Sequence, residues 1–358
     1  MTELTFAYPG DIDTPTGGYV YDRRIIAGLK RLGWTVDLLP LGEGFPFPDK
    51  AVVENAVARL LELPEGRRVV VDGLAYGVLD EAAARLGAHL DLTALVHHPL
   101  CKETGLSADV AEAFLVQEKA AVRAVGRIIV TSPATAMQVS ELFGIAPDDI
   151  HVVLPGTEAE RPSVKQVSDP TDVCVRLLCV ATVTRRKGYD LLIRALSTLT
   201  AYPWHLDIVG DTSRDPACFA EIETLLAEAG LQDHVTFHGA VTAEELPGFY
   251  ASADIFVLAS RYEGYGMAFT EALAHGLPVI GSGGGAVRDT LPDDASIYCE
   301  TDDVEGLRAA LEQLISSPAR RQQLSSAALV AAARLPSWSD AADRFAKALT
   351  SRPAGARP

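Results

Sequence analysis

Short β-branched runs alternate with amphipathic helical stretches along the chain, and this alternation narrows the fold more than any other feature. The first half holds LTFAY, TVDLLPL, RVVVDGL, LTALVHH, RIIVTS and IHVVLPG; the second holds VRLLCVAT, HLDIVG, VTFHG, IFVLAS, PVIGS and SIYC. Between most of them lie helical patterns, for example residues 20–32, 110–124, 190–199, 219–229 and 304–314. Continuous apolar strands separated by helices predict parallel sheets covered on both faces. Six strands followed by six more read as two doubly wound α/β domains in tandem. The break is expected in residues 158–173, EAERPSVKQVSDPTDV, which are rich in Pro, Ser and charge and carry little periodicity. That gives domains over residues 1–165 and 166–337, a last helix over 338–350 and a disordered tail over 351–358. Two such sheets side by side make a cleft, and ligands of open α/β sheets bind at the C-terminal ends of the strands.

A chain of 358 residues has room for two full cores. Its longest apolar runs, about eight residues, are strand-sized and too short to cross a membrane. The N-terminus has neither the basic stretch nor the long apolar core of a signal peptide. Five cysteines, Cys101, Cys174, Cys179, Cys218 and Cys299, are scattered and unpaired in sequence, which argues against a disulfide framework or a zinc site and for a reducing cytoplasm. The net charge of −17 disfavours a nucleic-acid partner. Lys119, Arg123 and Arg127 fall at helical spacing in residues 110–127; a solvated face explains them more simply than peripheral membrane contact.

Several polar clusters follow strands. In SRYEGYGMAFTEALAHG, Gly264 and Gly266 allow a tight turn and close approach of a ligand, and a helix is expected from Met267 to Gly276. The amides around Tyr265, Gly266, Met267 and Ala268 would face an anion. Glu263 precedes the turn and Glu271 lies one turn into the helix; carboxylates accept hydrogen bonds from pairs of sugar hydroxyls, although a loop acid and a solvated helix acid are the plain alternatives. In CVATVTRRKGYDLLIRAL, Arg185, Arg186 and Lys187 stand at a helix start and oppose its dipole, so a phosphate is the natural counter-charge and a basic surface turn the plain alternative. Gly17 and Gly18 lie between the first strand and the first helix, where backbone can approach a phosphate, though no Walker loop is present. His97 and His98 end a buried strand, either as hydrogen-bond partners at a reacting centre or as structural imidazoles. No acid or further histidine stands at metal-ligand spacing from them in the sequence. Gly281, Gly283 and Ala286 form a weak GxGxxA match and read as another close-approach loop. Asp293–Asp294 and Asp302–Asp303 read as solvated loop acids, and nothing resembles a metal-binding DxD cluster.

Taken together, these segments resemble the retaining GT-B glycosyltransferases of family GT4, most strongly from about residue 175 to 314. EGYGMAFTEALAHGLPVI resembles the family's two glutamates around a GFG-like turn; RRKGYDLLIRAL resembles its phosphate-binding lysine segment; TPTGGYVYDRRIIAGLKRLG resembles its N-terminal glycine loop; VVLPGTE resembles its hinge-proximal segment. Two departures stand out: Thr182 occupies a position where many members have arginine, and the GG-x-P-E turn reads GGAVRD, with Arg288 and Asp289. The resemblance implies the GT-B architecture, two Rossmann-like doubly wound domains facing across a cleft, with the last helix crossing back onto the first. It implies transfer of a hexosyl group from a nucleotide diphosphate sugar to a saccharide, lipid-linked or small-molecule acceptor, with retention and with neither metal nor other cofactor. By motif match Glu263 takes the donor sugar's hydroxyls, Glu271 the ribose, and Arg186 and Lys187 the diphosphate. The turn Gly264, Tyr265, Gly266, Met267, Ala268 helps hold that diphosphate, and Gly17 and Gly18 approach it. His97 matches the histidine near the donor sugar, with His98 as the alternative. Rival readings are a nucleotide-sugar epimerase or another GT-B-fold enzyme such as a phosphorylase, a non-catalytic nucleotide-sugar-binding protein and, on GxGxxA alone, a Rossmann oxidoreductase.

Overall fold

The computed structural model describes residues 2–158 and 174–351. The interdomain break expected at 158–173 and the tail expected over 351–358 therefore lie, but for Glu158 and Ser351, outside the described residues. The chain divides into two units, Met1–Gly156 with Pro336–Pro358, and Thr157–Leu335.

The first unit runs β1 (Glu3–Tyr8), α1 (Gly17–Arg31), β2 (Thr35–Pro40), α2 (Lys50–Leu61), β3 (Arg68–Asp72), α3 (Gly73–Tyr76), α4 (Asp80–His89), β4 (Asp91–Val96), α5 (Ala108–Val122), β5 (Arg127–Val130), α6 (Pro133–Phe143) and β6 (Ile150–Val152). All six strands pair in parallel, in the order β2-β1-β3-β4-β5-β6. Strand centres such as Val69–Val71 and Ala94 carry no exposed surface, as expected of strands with helices on both faces. Phe143, Leu86 and Leu60 close one helical layer over the sheet.

The second unit runs β7 (Val175–Val180), α7 (Tyr189–Leu196), β8 (Trp204–Val209), α8 (Pro216–Ala229), β9 (Val235–Gly239), α9 (Leu246–Ser252), β10 (Ile255–Leu258), β11 (Tyr262–Glu263), α10 (Met267–Ala274), β12 (Val279–Ser282), β13 (Gly284–Gly285), α11 (Val287–Thr290), β14 (Ser296–Cys299), α12 (Val304–Ser316) and α13 (Pro318–Ala332). Its six-stranded parallel sheet has the order β14-β12-β10-β7-β8-β9, and β11 and β13 form a separate short parallel pair. The α/β reading with two Rossmann-like sheets is thus what the chain forms. The short β11–β13 pair and α13 were not among the sequence expectations.

The last helix, α14 (Trp338–Thr350), belongs to the first unit. Ser337 caps it and the Asp340 side chain accepts from the Ser337 amide, a reciprocal capping box. It lies on α1 so closely that a Cβ at Gly28 would collide with the Ala342 methyl, and Trp338 stacks edge-on to Tyr21 at 6.1 Å. Arg127 is not on a solvated face with Lys119 and Arg123. It is buried at the start of β5, where its Nη1 donates to Asp91 and its Nε to the Ser351 carbonyl, while Arg123 donates to the Phe143 carbonyl.

Candidate functional site

In the second unit, the turn after β7 and the loop after β10 bring cations and acid together at the C-terminal ends of two neighbouring strands. Residues Arg185–Lys187 form a single 3₁₀ turn, and Gly188 follows with φ of +63°. Any side chain at Gly188 would run into the Ala259 carbonyl at the end of β10, so the tight approach of the two loops requires glycine. The three cations then diverge. Arg185 turns outward to Glu221 on α8, whereas Lys187 Nζ donates to Glu263 Oε1 at 2.6 Å and Arg186 Nη1 lies 3.5 Å from Oε2. Ser260 Oγ donates to the same Oε1 at 2.5 Å.

Glu263 is 6 % exposed. Burial alone would raise its pKa, but Lys187, Arg186 and the Ser260 hydroxyl outweigh burial and hold the carboxyl below its ordinary value. For Lys187 the balance goes the other way: burial, helped by the neighbouring Arg186 charge, outweighs the attraction of Glu263 and lowers its pKa. Both directions describe one compact cluster in which the buried acid offsets two part-buried cations. Oε1 carries two short bonds and Oε2 only the long Arg186 contact, so Oε2 keeps capacity to accept from a hydroxyl.

The turn Gly264–Gly266 leads into α10, with Gly266 at φ +90° as its N-cap and no side chain capping the first amides. Those first-turn N–H groups, at Met267 and Ala268, are left open by the helix itself. Glu271, one turn on, accepts a hydrogen bond from Tyr250 Oη at 2.8 Å, and the Tyr250 ring stacks on His275 with centroids 4.8 Å apart. Tyr265 is buried enough to push its hydroxyl up to about 12, and its carbonyl accepts from Thr290.

The glycine run at 281–285 has a different use from the one its spacing suggested. Side chains at Gly283 and Gly285 would collide with the carbonyls of Ser260 and Glu263, and both residues have positive φ. These glycines let β13 lie beside β11, and Ala286 N–H donates to the Glu263 carbonyl at 2.9 Å. The GxGxxA match is therefore spent on the chain's own backbone. Arg288, in the departing turn, lies over the Tyr298 ring and pairs with Asp293 at 3.4 Å. Asp302 and Asp303 are not simply solvated: the first accepts from Arg261 Nε at 2.8 Å and the second caps α12 through Gly306 N–H.

In the first unit, Gly17 and Gly18 are not in a loop before the helix; they are the first two residues of α1, behind the Thr16 N-cap. A Cβ on Gly18 would sit 3.5 Å from the His97 ring, so the bare helix start packs against that imidazole. His97 Nε2 lies 3.2 Å from Asp22 Oδ1 and 3.9 Å from Asp72 Oδ2, and the polar atoms of the three residues lie within 4.8 Å of one another. Sequence spacing offered no acid near His97. The fold supplies two, one from α1 and one from the end of β3. His98 turns away to Glu103 at 3.1 Å. The start of α1 and the end of β3 thus converge on His97 at the end of β4, whereas the ends of β7 and β10 converge on Glu263. Asp22 and Asp72 were missed because no local pattern marks an acid that becomes buried only when distant strands align.

Comparison with known proteins places this geometry. Residues 165–330 match the model of the family described as glycosyl transferases group 1. Mannosylfructose-phosphate synthase of Agrobacterium fabrum is 32% identical over 44% of this chain and 38% of its own length. The MMP alpha-(1->4)-mannosyltransferase of Mycolicibacterium hassiacum is 27% identical over 83% of this chain and 74% of its own. Most of the first curated relatives are matched over less than two thirds of their length. Among solved structures, sucrose-phosphate synthase from Thermosynechococcus elongatus superposes with a TM-score of 0.81 at 22% identity, covering 97% of this chain and 98% of that one, a likeness of fold. The chain thus has two Rossmann-like sheets, a fold shared with sucrose-phosphate synthase, and its second unit carries the match to the glycosyl transferases group 1 family.

Proposed function

We propose that the protein is a retaining glycosyltransferase that moves a hexosyl group from a nucleotide diphosphate sugar to an acceptor hydroxyl, without a metal ion. The observation that carries this reading is the cluster of Lys187 and Arg186 around buried Glu263, beside the uncapped start of α10. Two cations and open helix amides form an anion site suited to a diphosphate leaving group. Glu263 Oε2 accepts a hydroxyl of the donor sugar, and Glu271, oriented by Tyr250, accepts the ribose hydroxyls. His97 and the Gly17–Gly18 helix start are assigned to the donor by their match to the family's motifs. Bond loosening to the leaving phosphate gives an oxocarbenium-like sugar, so catalysis is chiefly leaving-group stabilisation and positioning. Five free cysteines agree with a cytoplasmic setting, and no helix among the described residues is long and apolar enough to cross a membrane. An epimerase finds less support, since it needs no acceptor; the names of the relatives above are those of synthases and transferases. A panel of nucleotide sugars, with nucleoside diphosphate release followed with and without acceptor saccharides or sugar phosphates, tests the reading. Acceptor-dependent release supports it; binding of a donor with no release under any acceptor would leave a binding protein instead.

A further inference from the structure

Asp22 is fully buried, and its Oδ2 has no hydrogen-bond partner. An acid in that state is costly unless it acts on something. Its other oxygen meets His97 Nε2, and Asp72, 3 % exposed, lies within hydrogen-bonding reach of the Asp22 side chain. His97 itself is part-buried, and its Nδ1 has no partner among the described residues. The ring is wedged: Tyr21 meets it edge-on at 5.4 Å, Gly18 backs onto its Cδ2–Nε2 edge, and Thr131 Oγ1 donates to its carbonyl at 3.2 Å.

We propose that Asp22 and Asp72 are positioning residues for His97: they hold its Nε2–H and turn Nδ1 into a charged hydrogen-bond donor for a substrate oxygen. This rests on the reading that places His97 at the reacting centre. The electrostatics agree with the geometry. Burial opposes a charge on His97, but Asp22, by charge and hydrogen bond, and then Asp72 outweigh it and raise the imidazole pKa. Burial and the nearby Asp22 push Asp72 up to about 7, against the pull of His97 and the Leu74 amide, so Asp72 holds a proton on the acid side of neutrality. A proton there also gives Asp22 a second donor. Of the groups facing the ring among the described residues, α1 contributes Tyr21 and Asp22 and the end of β3 contributes Asp72, while Thr131 after β5 meets the His97 carbonyl. Tyr21 cannot take the proton: burial raises its pKa well above the ordinary value and its hydroxyl donates to the Val153 carbonyl. An imidazolium here is a donor rather than a base, which suits a reaction whose proton leaves with the departing phosphate.

The test is an NMR titration of the full chain labelled with ¹⁵N-histidine, without substrate, with His97 assigned through His97→Gln. Wild type is expected to show both His97 nitrogens protonated at neutral pH, with a midpoint above the ordinary ~6.5. Asp22→Asn should lower that midpoint below the ordinary value, because burial remains; Asp72→Asn, which keeps an acceptor for the Leu74 amide, should lower it less. On the alkaline limb, kcat of Asp22→Asn should fall on the order of tenfold or more, with the limb displaced to lower pH. A neutral His97 in wild type at pH 7 overturns the proposal even where a variant fails to fold. So does an unchanged midpoint in Asp22→Asn, or a divalent ion found in stoichiometric amount on the purified protein and lost in both variants. If the titration goes as expected but kcat and its pH profile stay unchanged, His97 does not donate to substrate, and the glycosyl-transfer reading is then judged on donor turnover alone.

Discussion

Arg261 is the side chain that holds the cationic turn in place. Its two terminal nitrogens grip the Asp190 carboxylate at 2.9 and 2.8 Å, Nη1 also donates to the Arg185 carbonyl at 2.7 Å, and its backbone N–H donates to the Arg186 carbonyl at 2.7 Å. A lysine cannot reproduce that fork. Arg261→Lys is therefore expected to weaken binding of a free nucleoside diphosphate by roughly 1–2 kcal/mol in calorimetry, although Arg261 is not needed to touch the ligand. Wild-type affinity would leave Arg261 as a surface clamp only. Glu263 calls for a conservative replacement, because alanine would strip the counter-charge from part-buried Lys187 and cost up to about 3 kcal/mol of stability. Glu263→Gln keeps acceptors for Lys187 and Ser260 and should lose transfer on the order of 100-fold, about 2.7 kcal/mol. Unchanged turnover with the natural donor would remove Glu263 from the site. The depressed Glu263 pKa has a fixed sign in stability: the pair contributes fully above the ordinary carboxyl range and is lost as pH falls through the lower folded value.

At the scale of elements, α5 carries a buried acid that no motif announced. Glu118 is 2 % exposed and accepts the amides of Leu100 and Cys101, in the short turn after β4. Burial raises its pKa to about 7 despite those two donors. Because the folded chain keeps a proton that the unfolded chain releases near pH 4.5, this group costs stability as pH rises from about 4.5 to 7. Chemical denaturation should show Glu118→Gln gaining on wild type by about 1–3 kcal/mol between pH 5 and 8. A constant difference between the two proteins across that range would contradict it. Helices and strands were legible because each declares itself by local period: all twelve apolar runs became strands, and the helix expected at 338–350 spans Trp338–Thr350. Glu263, Arg186 and Lys187 were each legible because they lie beside strand ends, but that the acid pairs with the two cations was not. What was not legible depends on contacts distant in sequence. Gly17 and Gly18 are drawn into α1 by the Thr16 cap, the 283–285 glycines serve a two-residue strand pair, and Asp22, Asp72 and Glu118 look in sequence like any helix or strand-end acid.

For the whole molecule, the sign of charge is the physical puzzle. The chain carries a net −17, yet its proposed leaving group is a diphosphate. The second unit answers locally, by holding part-buried Arg186 and Lys187 at strand ends and leaving the first amides of α10 without a side-chain cap. Its adjacent acids are committed elsewhere: Asp302 to Arg261, Asp303 to the start of α12, Asp293 to Arg288. Leaving-group charge can thus be met by side chains and helix dipole. Turnover is expected to persist in excess EDTA. Glu263 and Glu271, the acids proposed to flank the leaving group, are held by Lys187 and Tyr250, which suits the proposed binding of hydroxyls better than proton abstraction from the far face. On the proposed retaining reading the acceptor is expected to attack from the side the phosphate leaves, so an α-linked donor should yield an α-linked product. Proton NMR of the new anomeric signal, recorded on a reaction run in EDTA, reads both expectations at once. A β-linked product would require a base on the opposite face, and loss of turnover restored by one added divalent ion would require a metal in the leaving-group site.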